Sequence, residues 1–496
     1  MSLSRRDFVN RSTAIGAGVL IAGSAEVLAT APGAIAAPVG GEGVAEAETA
    51  PAAARRAVGY GELIADPKGI LALPRGFKYR VITRTGETKL VTGEFTPSNH
   101  DGTASFEGRH GATLLVVNHE LGGARANWPH PVPLLEGHVY DPGAAGGCTV
   151  VEVKNGGKQV REWVGIAGTA TNCAGGATPW GTWLSGEETE DKAGKNGFTK
   201  DHGYIFEVDP YDQAANRDPQ PIKALGRYAH EAVVVDQKRG HLYLTEDASN
   251  PNGLLFRWTP PAGFKHGKGK LRTLAADAGV LEAFKVFDSK GGFVDDLSRA
   301  TKVGTVYGVD WVTVKDRDAK TTSVRKQFAA GEVTRARKLE GMWWGDSGFY
   351  FVSSYARTES PGAAHDGQVW FYDPKRRTIT LKLLLGVNTD VMGDHGNYDG
   401  PDNITVSPYG GLVIAEDGEG VSHLFGTTED GKTYPIARND LNIGTAEAPE
   451  FSEFTGVNFS EDGETLFANI QSPGILVAIT GPWWRLRHRG GHGYND

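Results

Sequence analysis

A thiol and a pair of carboxylates lie at opposite ends of one short stretch of the chain. Cys173 begins the stretch and Glu187 and Glu188 end it, with a Pro-Trp-Gly turn and an apolar, β-prone run between them. A turn followed by such a run predicts a β-hairpin, which would bring Cys173 close to Glu187 or Glu188. Thiolate and carboxylate together bind cations, and a thiolate adds affinity for softer transition metals. The alternative interpretation is a buried cysteine followed by two solvated glutamates.

The same plan recurs along the chain, with polar residues at both ends of each copy. In five copies the end residues are 15 positions apart, and in the sixth they are 14 apart. The copies run from Ser105 to Glu120, Cys173 to Glu188, Glu231 to Glu246, Glu340 to Tyr355, Asp402 to Glu416 and Gly456 to Gln471.

A repeated antiparallel unit predicts an all-β fold, specifically a β-propeller of about six blades with short loop and helical insertions. Residues 275–284 are the best candidate for a short helix. Because blades place their equivalent ends around one axis, the acidic ends would meet at one mouth of the central channel. The alternative is a propeller whose channel acids are only solvated.

Composition limits the possible functions. The chain has 496 residues, with 68 Gly and 11 Trp, which fits short strands and tight turns around a sizeable core. Its net charge of −9 argues against a general nucleic-acid binder. The sequence contains neither a phosphate-binding P-loop nor a Gly-x-Ser-x-Gly nucleophile elbow.

The N-terminal region is predicted to direct export. Residues 4–9 form a twin-arginine signal pattern, an apolar stretch follows, and residues 34–36 offer a small-residue cleavage site. We therefore expect a signal peptide over 1–36, a disordered linker over 37–58 and a single propeller domain over 59–496. The expected location is periplasmic or extracellular, without stable membrane insertion after cleavage.

The two cysteines, Cys148 and Cys173, leave two interpretations open. An exported protein can join such a pair in a disulfide. In the other interpretation Cys173 stays reduced, because it occupies a position equivalent to the acidic ends of the other copies.

Several motifs together resemble the PhoX-type alkaline phosphatase family. They are the twin-arginine signal, residues 66–77, 118–120, 172–176, 178–182, 226–232, 340–341 and 401–403. The resemblance implies a β-propeller with ferric iron and calcium ions clustered at one end of its axis. It also implies hydrolysis of phosphate esters, with the metals and an arginine binding the phosphate.

The resemblance assigns roles to residues of this chain. Cys173 matches the cysteine ligand of iron, and Glu231 and Glu340 match glutamates at the cluster. Further oxygen ligands, chiefly for calcium, are expected at Glu120, Glu188, Asp402, Asn403 and Glu416.

Two positions depart from the family pattern. Gly186 stands before Glu187 and Glu188, where family members often have a cysteine. Lys338, with Arg337 beside it, stands where the family has its phosphate-binding arginine. Lysine presents a point charge and cannot bind two phosphate oxygens side by side as arginine does. Lowered phosphatase activity or a different substrate would follow from this change.

The sequence therefore favours an exported, metal-dependent phosphatase that is monomeric, acts on a small phosphate ester and uses the twin-arginine export machinery as its partner. One alternative is a calcium-dependent lactonase-like hydrolase, which would not need Cys173. The other is a non-catalytic binding propeller. Calcium without iron would favour the lactonase, whereas metal-independent folding and an apolar or aromatic patch over the axis would favour the binding propeller.

Overall fold

Short antiparallel strands supply almost all the regular structure. The computed structural model describes residues 58–154, 156–354, 365–393 and 396–486. The predicted signal peptide, the linker up to residue 57 and Tyr355, the expected end of the fourth copy, lie outside the described residues.

The strands follow one another in meanders. The first are β1 (Leu63–Ile64), β2 (Leu71–Pro74), β3 (Lys78–Arg84), β4 (His100–Glu107), β5 (Thr113–His119), β6 (Gly146–Lys154), β7 (Gln159–Thr169), β8 (Asn172–Ala177), β9 (Trp183–Glu187) and β10 (Ile205–Val208). The middle region contains β11 (His230–Asp236), β12 (His241–Glu246), β13 (Leu255–Thr259), β14 (Val280–Phe287), β15 (Phe293–Val294), β16 (Val306–Thr313), β17 (Leu339–Trp344), β18 (Phe349–Ser354), β19 (Gly367–Asp373) and β20 (Thr378–Leu385). The last are β21 (Pro401–Val406), β22 (Leu412–Glu416), β23 (His423–Thr427), β24 (Thr433–Asn439), β25 (Phe454–Phe459), β26 (Thr465–Ile470) and β27 (Ile475–Thr480).

Six meanders form a closed ring. They start at β4, β8, β11, β17, β21 and β25, and we call these six strands the inner strands. Each inner strand contacts the next one, and β25 contacts β4. This arrangement is a β-propeller and confirms the predicted all-β class. The ring is completed by N-terminal strands, because β3 pairs with β27 and β2 pairs with β24.

The number of hydrogen-bonded sheets is smaller than the number of meanders in the ring. Within the described residues there are five separate sheets, since β16 pairs with both β14 and β20 and joins two meanders into one ten-stranded sheet. The meander that starts at β8 has three strands. A strict count of blades therefore depends on whether the joined sheet is divided at β16.

The helix expected over 275–284 is wrong. Its second half lies in β14, where Leu281, Ala283, Phe284 and Val286 are buried against neighbouring strands. Tertiary packing overrides the helix propensity of this alanine-rich segment. The helices of the described residues are short 3-10 turns: Arg109–Gly111, Arg125–Asn127, Gln213–Asn216, Lys223–Leu225, Leu271–Thr273, Leu297–Arg299, Val324–Gln327 and Trp483–Leu486.

Apolar side chains fill the space between neighbouring meanders. Leu184 from β9 packs in one cluster with Leu244, Phe256 and Trp258 from β12 and β13. Each such side chain contributes about 1.5–3 kcal/mol when fully buried. This core fixes the inner strands at the centre of the ring. Among the described residues no helix is long and apolar enough to span a membrane.

Candidate metal centre

Each inner strand contains the same irregularity near its start. At this point two consecutive residues face a single residue of the next strand, which is the pattern of a β-bulge. The bulged pairs are Asp101 with Gly102, Cys173 with Ala174, Glu231 with Ala232, Glu340 with Gly341, Asp402 with Asn403 and Gly456 with Val457. Because a bulge redirects side chains, the repeated bulge gives five of the six pairs a leading thiol or carboxylate in the same structural position.

Small residues in the bulges let neighbouring inner strands approach closely. A side chain on Gly341 would place its Cβ 2.7 Å from the carbonyl oxygen of Asp402, and one on Gly102 would lie 2.5 Å from the Cα of Ala174. Such distances are too short for any other residue without backbone movement. The glycines therefore allow acids from different meanders to meet.

Seven thiol and carboxylate residues come together at this end of the ring. They form three overlapping groups, in each of which the potential ligand atoms lie within 4.8 Å of one another. The groups are Asp101, Glu120 and Cys173; Cys173, Glu188 and Glu231; and Glu231, Glu340 and Asp402. Glu120 and Glu188 are partly exposed and the other five are buried. We call this set of seven residues the acidic centre.

Two contacts fix the thiol within the acidic centre. Cys173 Sγ lies 3.3 Å from Glu231 Oε1 and 3.7 Å from Asp101 Oδ2. Nearby, the Gln471 amide donates to Asp101 Oδ2 at 3.1 Å and to Glu120 Oε2 at 2.6 Å. The thiol and these carboxylates are therefore held in one ligand-forming arrangement.

Charge repulsion makes this arrangement costly without cations. Two ionised carboxylates 4.8 Å apart repel by roughly 3.5 kcal/mol at an effective dielectric constant of 20. The mixed set of one thiolate and several oxygen donors fits metal ions, which would offset that repulsion. The residues present therefore suit a metal cluster.

Glu187 and Glu188 have different surroundings although they are adjacent. Glu188 belongs to the acidic centre, whereas Glu187 is turned towards the interior. Glu187 accepts hydrogen bonds from the backbone N–H groups of Ala170, Gly203 and Tyr204 and contacts His202 Nδ1 at 2.6 Å. The expected hairpin therefore brings Glu188, rather than Glu187, to Cys173.

His202 links Glu187 to a second buried carboxylate. Its Nε2 lies 3.4 Å from Asp141 Oδ2, and we call Glu187, His202 and Asp141 the structural triad. Burial raises the pKa of Asp141, but the backbone N–H groups of Gly143, Lys200 and Thr199 outweigh it and leave the pKa below its usual range. This carboxylate is stabilised by protein donors alone.

Two predicted ligands lie outside the three groups. Asn403 donates from Nδ2 to Asp402 Oδ1 at 3.0 Å and accepts from the Gly456 N–H at 2.5 Å, so it orients an acid of the centre. Glu416 accepts from the Asp399 N–H at 2.7 Å, from the His423 N–H at 2.8 Å, and contacts His423 Nδ1 at 2.9 Å. Burial and the neighbouring Glu416 raise the pKa of Asp399 to about 8. Direct ligation by Asn403 or Glu416 stays a prediction.

The two predicted phosphate-binding cations point to different places. Lys338 has a positive φ of 39°, and its Nζ lies 3.5 Å from Glu340 Oε1 and 3.8 Å from Asp417 Oδ2. Arg337 instead contacts Asp296, with 3.5 Å between Nε and Oδ2. Lys338 is therefore the cation at the edge of the acidic centre.

Two residues of this site were not predicted from the sequence. Asp101 was not identified as a ligand, and Gln471 was identified only as the last residue of the sixth copy. Starting the first copy at Ser105 gives the common spacing but places it four residues beyond Asp101, because β4 and β5 are each two residues longer than β8 and β9 while the turns that join them are equally long. The pattern that could have identified Asp101 is an acid followed directly by glycine, since Asp101 and Gly102 match Glu340 and Gly341.

The two cysteines are not bonded to each other. Cys148 Sγ instead donates to Asn118 Oδ1 at 3.1 Å, and burial raises the pKa of Cys148 to about 12. Cys148 is therefore a protonated core residue.

The fold and the site define a β-propeller with a candidate metal centre at the ends of its inner strands. The chain matches the family described as Alkaline phosphatase PhoX over residues 58–163 and 156–474. The protein belongs to the PhoX family and is accordingly a hydrolase of phosphate esters. This family is metal-dependent and typically exported.

The solved structures that are similar to this chain have low sequence identity to it. PhoX of Pseudomonas fluorescens, solved with vanadate, a transition-state analogue, is 17% identical with a TM-score of 0.59, over 86% of this chain and 98% of that chain. A gluconolactonase of Xanthomonas campestris is 12% identical with a TM-score of 0.33, over 78% of this chain and 97% of that chain. Among curated proteins, none matches this chain.

Proposed function

We propose that the acidic centre binds ferric iron and calcium, and that the protein hydrolyses small phosphate esters beside these ions. The observation that carries this proposal is the overlap of three ligand groups through Cys173 and Glu231. Because each of these two residues belongs to two groups, ions in neighbouring groups would share a ligand. A cluster is therefore favoured over a single ion.

The donor types suggest how the ions are distributed. Iron accepts thiolate and carboxylate together, which suits the groups that contain Cys173. Glu231, Glu340 and Asp402 offer oxygen alone, and calcium prefers several oxygen ligands. We assign iron to the Cys173 side of the acidic centre and calcium to the Asp402 side.

When bound, such ions would offset the charge of a phosphate ester and lower the pKa of a water molecule that attacks it. The protein surrounds this site with buried side chains and leaves Glu120 and Glu188 partly exposed. We expect the substrate to enter on the side of these two residues.

Lys338 supplies the protein's own positive charge at the site. Its Nζ already lies near a carboxylate oxygen of Glu340, so a phosphate group bound beside Glu340 would be within its reach. A single ammonium group orients a phosphate less strictly than a guanidinium does. Lys338 therefore assists phosphate binding mainly through its positive charge, and contributes less to the orientation of the phosphate group.

Export by the twin-arginine pathway completes the proposal. This pathway carries folded proteins, so a cluster assembled before export would leave the cytoplasm inside the propeller. The twin-arginine pattern of residues 4–9 supports this route.

Elemental analysis of natively exported protein tests the proposal. We expect iron and calcium in the purified protein, and hydrolysis of p-nitrophenyl phosphate that is lost after exhaustive chelation. Chelation should also lower the melting temperature, because ligand binding stabilises the folded state by about 2.7 kcal/mol at one hundred times Kd. Calcium without iron, or hydrolysis that survives complete metal removal, would contradict the proposed cluster.

A further inference from the structure

Asn118 bonds to the backbone of the Cys173 bulge from the neighbouring meander. It lies in β5, opposite the bulge of its own meander, and is fully buried. Its Nδ2 donates to the carbonyl oxygens of Cys173 and Ala174, both at 2.9 Å. One amide group therefore holds both residues of the bulge that presents the thiol.

The other side of the same amide is fully used. Asn118 Oδ1 accepts from Trp183 Nε1 at 2.9 Å, Ser185 Oγ at 2.9 Å and Cys148 Sγ at 3.1 Å. The indole N–H can only donate, and the two backbone carbonyls can only accept. The amide therefore has a single possible orientation.

Ser185 extends this contact around the thiol. Its Oγ accepts from Asn172 Nδ2 at 2.9 Å, and Asn172 Oδ1 accepts from Thr169 Oγ1 at 2.7 Å. Asn172 directly precedes Cys173, so connected hydrogen bonds hold the chain on both sides of the thiol. Fully satisfied buried networks of this kind restrict movement.

Two other inner strands are held in the same way. Thr245 Oγ1 donates to the carbonyl oxygen of Glu340 at 2.9 Å and accepts from the Ala232 N–H at 2.9 Å. Asn469 Nδ2 donates to the carbonyl oxygen of Asp101 at 2.7 Å. In all three cases a side chain on the second strand of one meander bonds the carbonyl of an acidic-centre residue on the next.

We propose that Asn118, Thr245 and Asn469 are positioning residues that set the side-chain directions of Cys173, Glu340 and Asp101. This inference rests on the proposed metal centre. Each bond fixes the carbonyl of the residue whose side chain would bind the ion, so its loss lets that residue rotate. Partners outside the ligand set typically change metal affinity by about 10- to 100-fold.

The Thr245 pair gives the sharpest test. Thr245→Val keeps the size of the side chain and removes the hydroxyl, whereas Thr245→Ser keeps the hydroxyl. We would expose each metal-loaded protein to graded EDTA and measure retained iron and calcium by elemental analysis. Thr245→Val should release metal at an EDTA concentration roughly 10- to 100-fold lower than wild type, and Thr245→Ser should resemble wild type.

Asn118→Ala has a matched control in Asn458→Ala. Asn458 is also buried, and its Nδ2 donates to the carbonyls of Thr103 at 3.1 Å and Gly456 at 2.9 Å, neither of which carries a thiol or carboxylate. Both variants should lose thermal stability, and Asn118→Ala should lose more because it also removes the acceptor of three donors. Only Asn118→Ala should release metal more readily.

The outcomes separate this inference from the proposed function. If the wild type retains metal and Thr245→Val retains it equally well, the positioning role is wrong. Equal metal loss in Asn118→Ala and Asn458→Ala would also overturn it, since general destabilisation would then explain both. A wild-type protein without bound metal would refute the metal centre itself. If Asn118→Ala does not fold, the two Thr245 variants decide the question.

Discussion

The acidic centre and the structural triad are both buried and acidic, but they differ in what surrounds their carboxylates. Glu187 and Asp141 accept several backbone N–H bonds, and His202 lies between them. In the acidic centre, Cys173 and carboxylates from several meanders lie within 4.8 Å of one another, and the side chains of Gln471 and Lys338 lie beside them. Burial of an acid therefore says little about its role, whereas the close approach of several other acids indicates a site for cations.

The largest effect is expected from Cys173→Ser. Serine keeps the size but replaces a thiolate with a poor, usually protonated ligand. We predict loss of iron, loss of the visible colour of iron-bound thiolate, and a fall in phosphate-ester hydrolysis beyond the roughly 10- to 100-fold of an outer partner, with the propeller still folded. Elemental analysis, absorption spectra, circular dichroism and rate measurements would check this.

Cys148→Ser is the matched control, because its hydroxyl can still donate to Asn118. Iron content and activity should remain close to wild type. Equal destabilisation by both serine variants, with unchanged iron, would instead mean that Cys173 is not a metal ligand.

Glu187→Gln and Glu231→Gln should have opposite effects, which sharpens the comparison. Glu187→Gln breaks a buried, hydrogen-bonded ion pair and should lower the free energy of unfolding by roughly 3 kcal/mol while leaving metal content intact. Glu231→Gln should lose metal, yet its metal-free form should be at least as stable as metal-free wild type, because one repulsive charge is gone. Chemical unfolding of metal-free and loaded proteins measures both. Metal loss in Glu187→Gln alone would reverse the assignment of the two regions.

A smaller gain is expected from Lys338→Arg. Arginine can bind two phosphate oxygens, and one added charged hydrogen bond contributes about 1.5 kcal/mol, or roughly tenfold in kcat/KM for a phosphate ester. Steady-state kinetics would measure it. Arg337→Lys serves for comparison, since Arg337 pairs with Asp296; a larger effect there would identify Arg337 as the phosphate-binding residue.

The last prediction concerns stability rather than activity, at Glu162 in β7, a buried acid outside both regions. Burial raises the pKa of Glu162 to about 7, although the Thr96 and Thr149 hydroxyls oppose the shift. Since the folded state holds this proton more tightly than the unfolded state, stability should fall as pH rises from about 4.5 to 7. The full change is about 3 kcal/mol or less. Glu162→Gln should remove that part of the pH dependence in urea unfolding; an identical profile would contradict it.

The ring and much of its centre could be predicted from the sequence, because residues at equivalent positions of the sequence copies occupy equivalent positions in the strand pairing. Cys173, Glu231, Glu340 and Asp402 are equivalent in the fold, and their meeting at one end of the ring could be anticipated from that equivalence. Asp101 was missed because the longer strands β4 and β5 shifted its copy by four residues. The hydrogen-bond partners of Glu416 could not be predicted from the sequence. His423 lies on the next strand, and the Asp399 N–H comes close to Glu416 only when the backbone is folded.

The pairing of β3 with β27 has a consequence for the order of biosynthesis. Asp101 is translated early and Asp402 late, and the ring joining them closes only after β27 has left the ribosome and found β3. A chain that ends before Asp402 therefore lacks one acid of the centre, and a chain that ends before β27 lacks the pairing that closes the ring. If the acidic centre binds ions as proposed, a truncated chain should hold fewer of them than the finished protein, so that metal content would report whether the ring is complete.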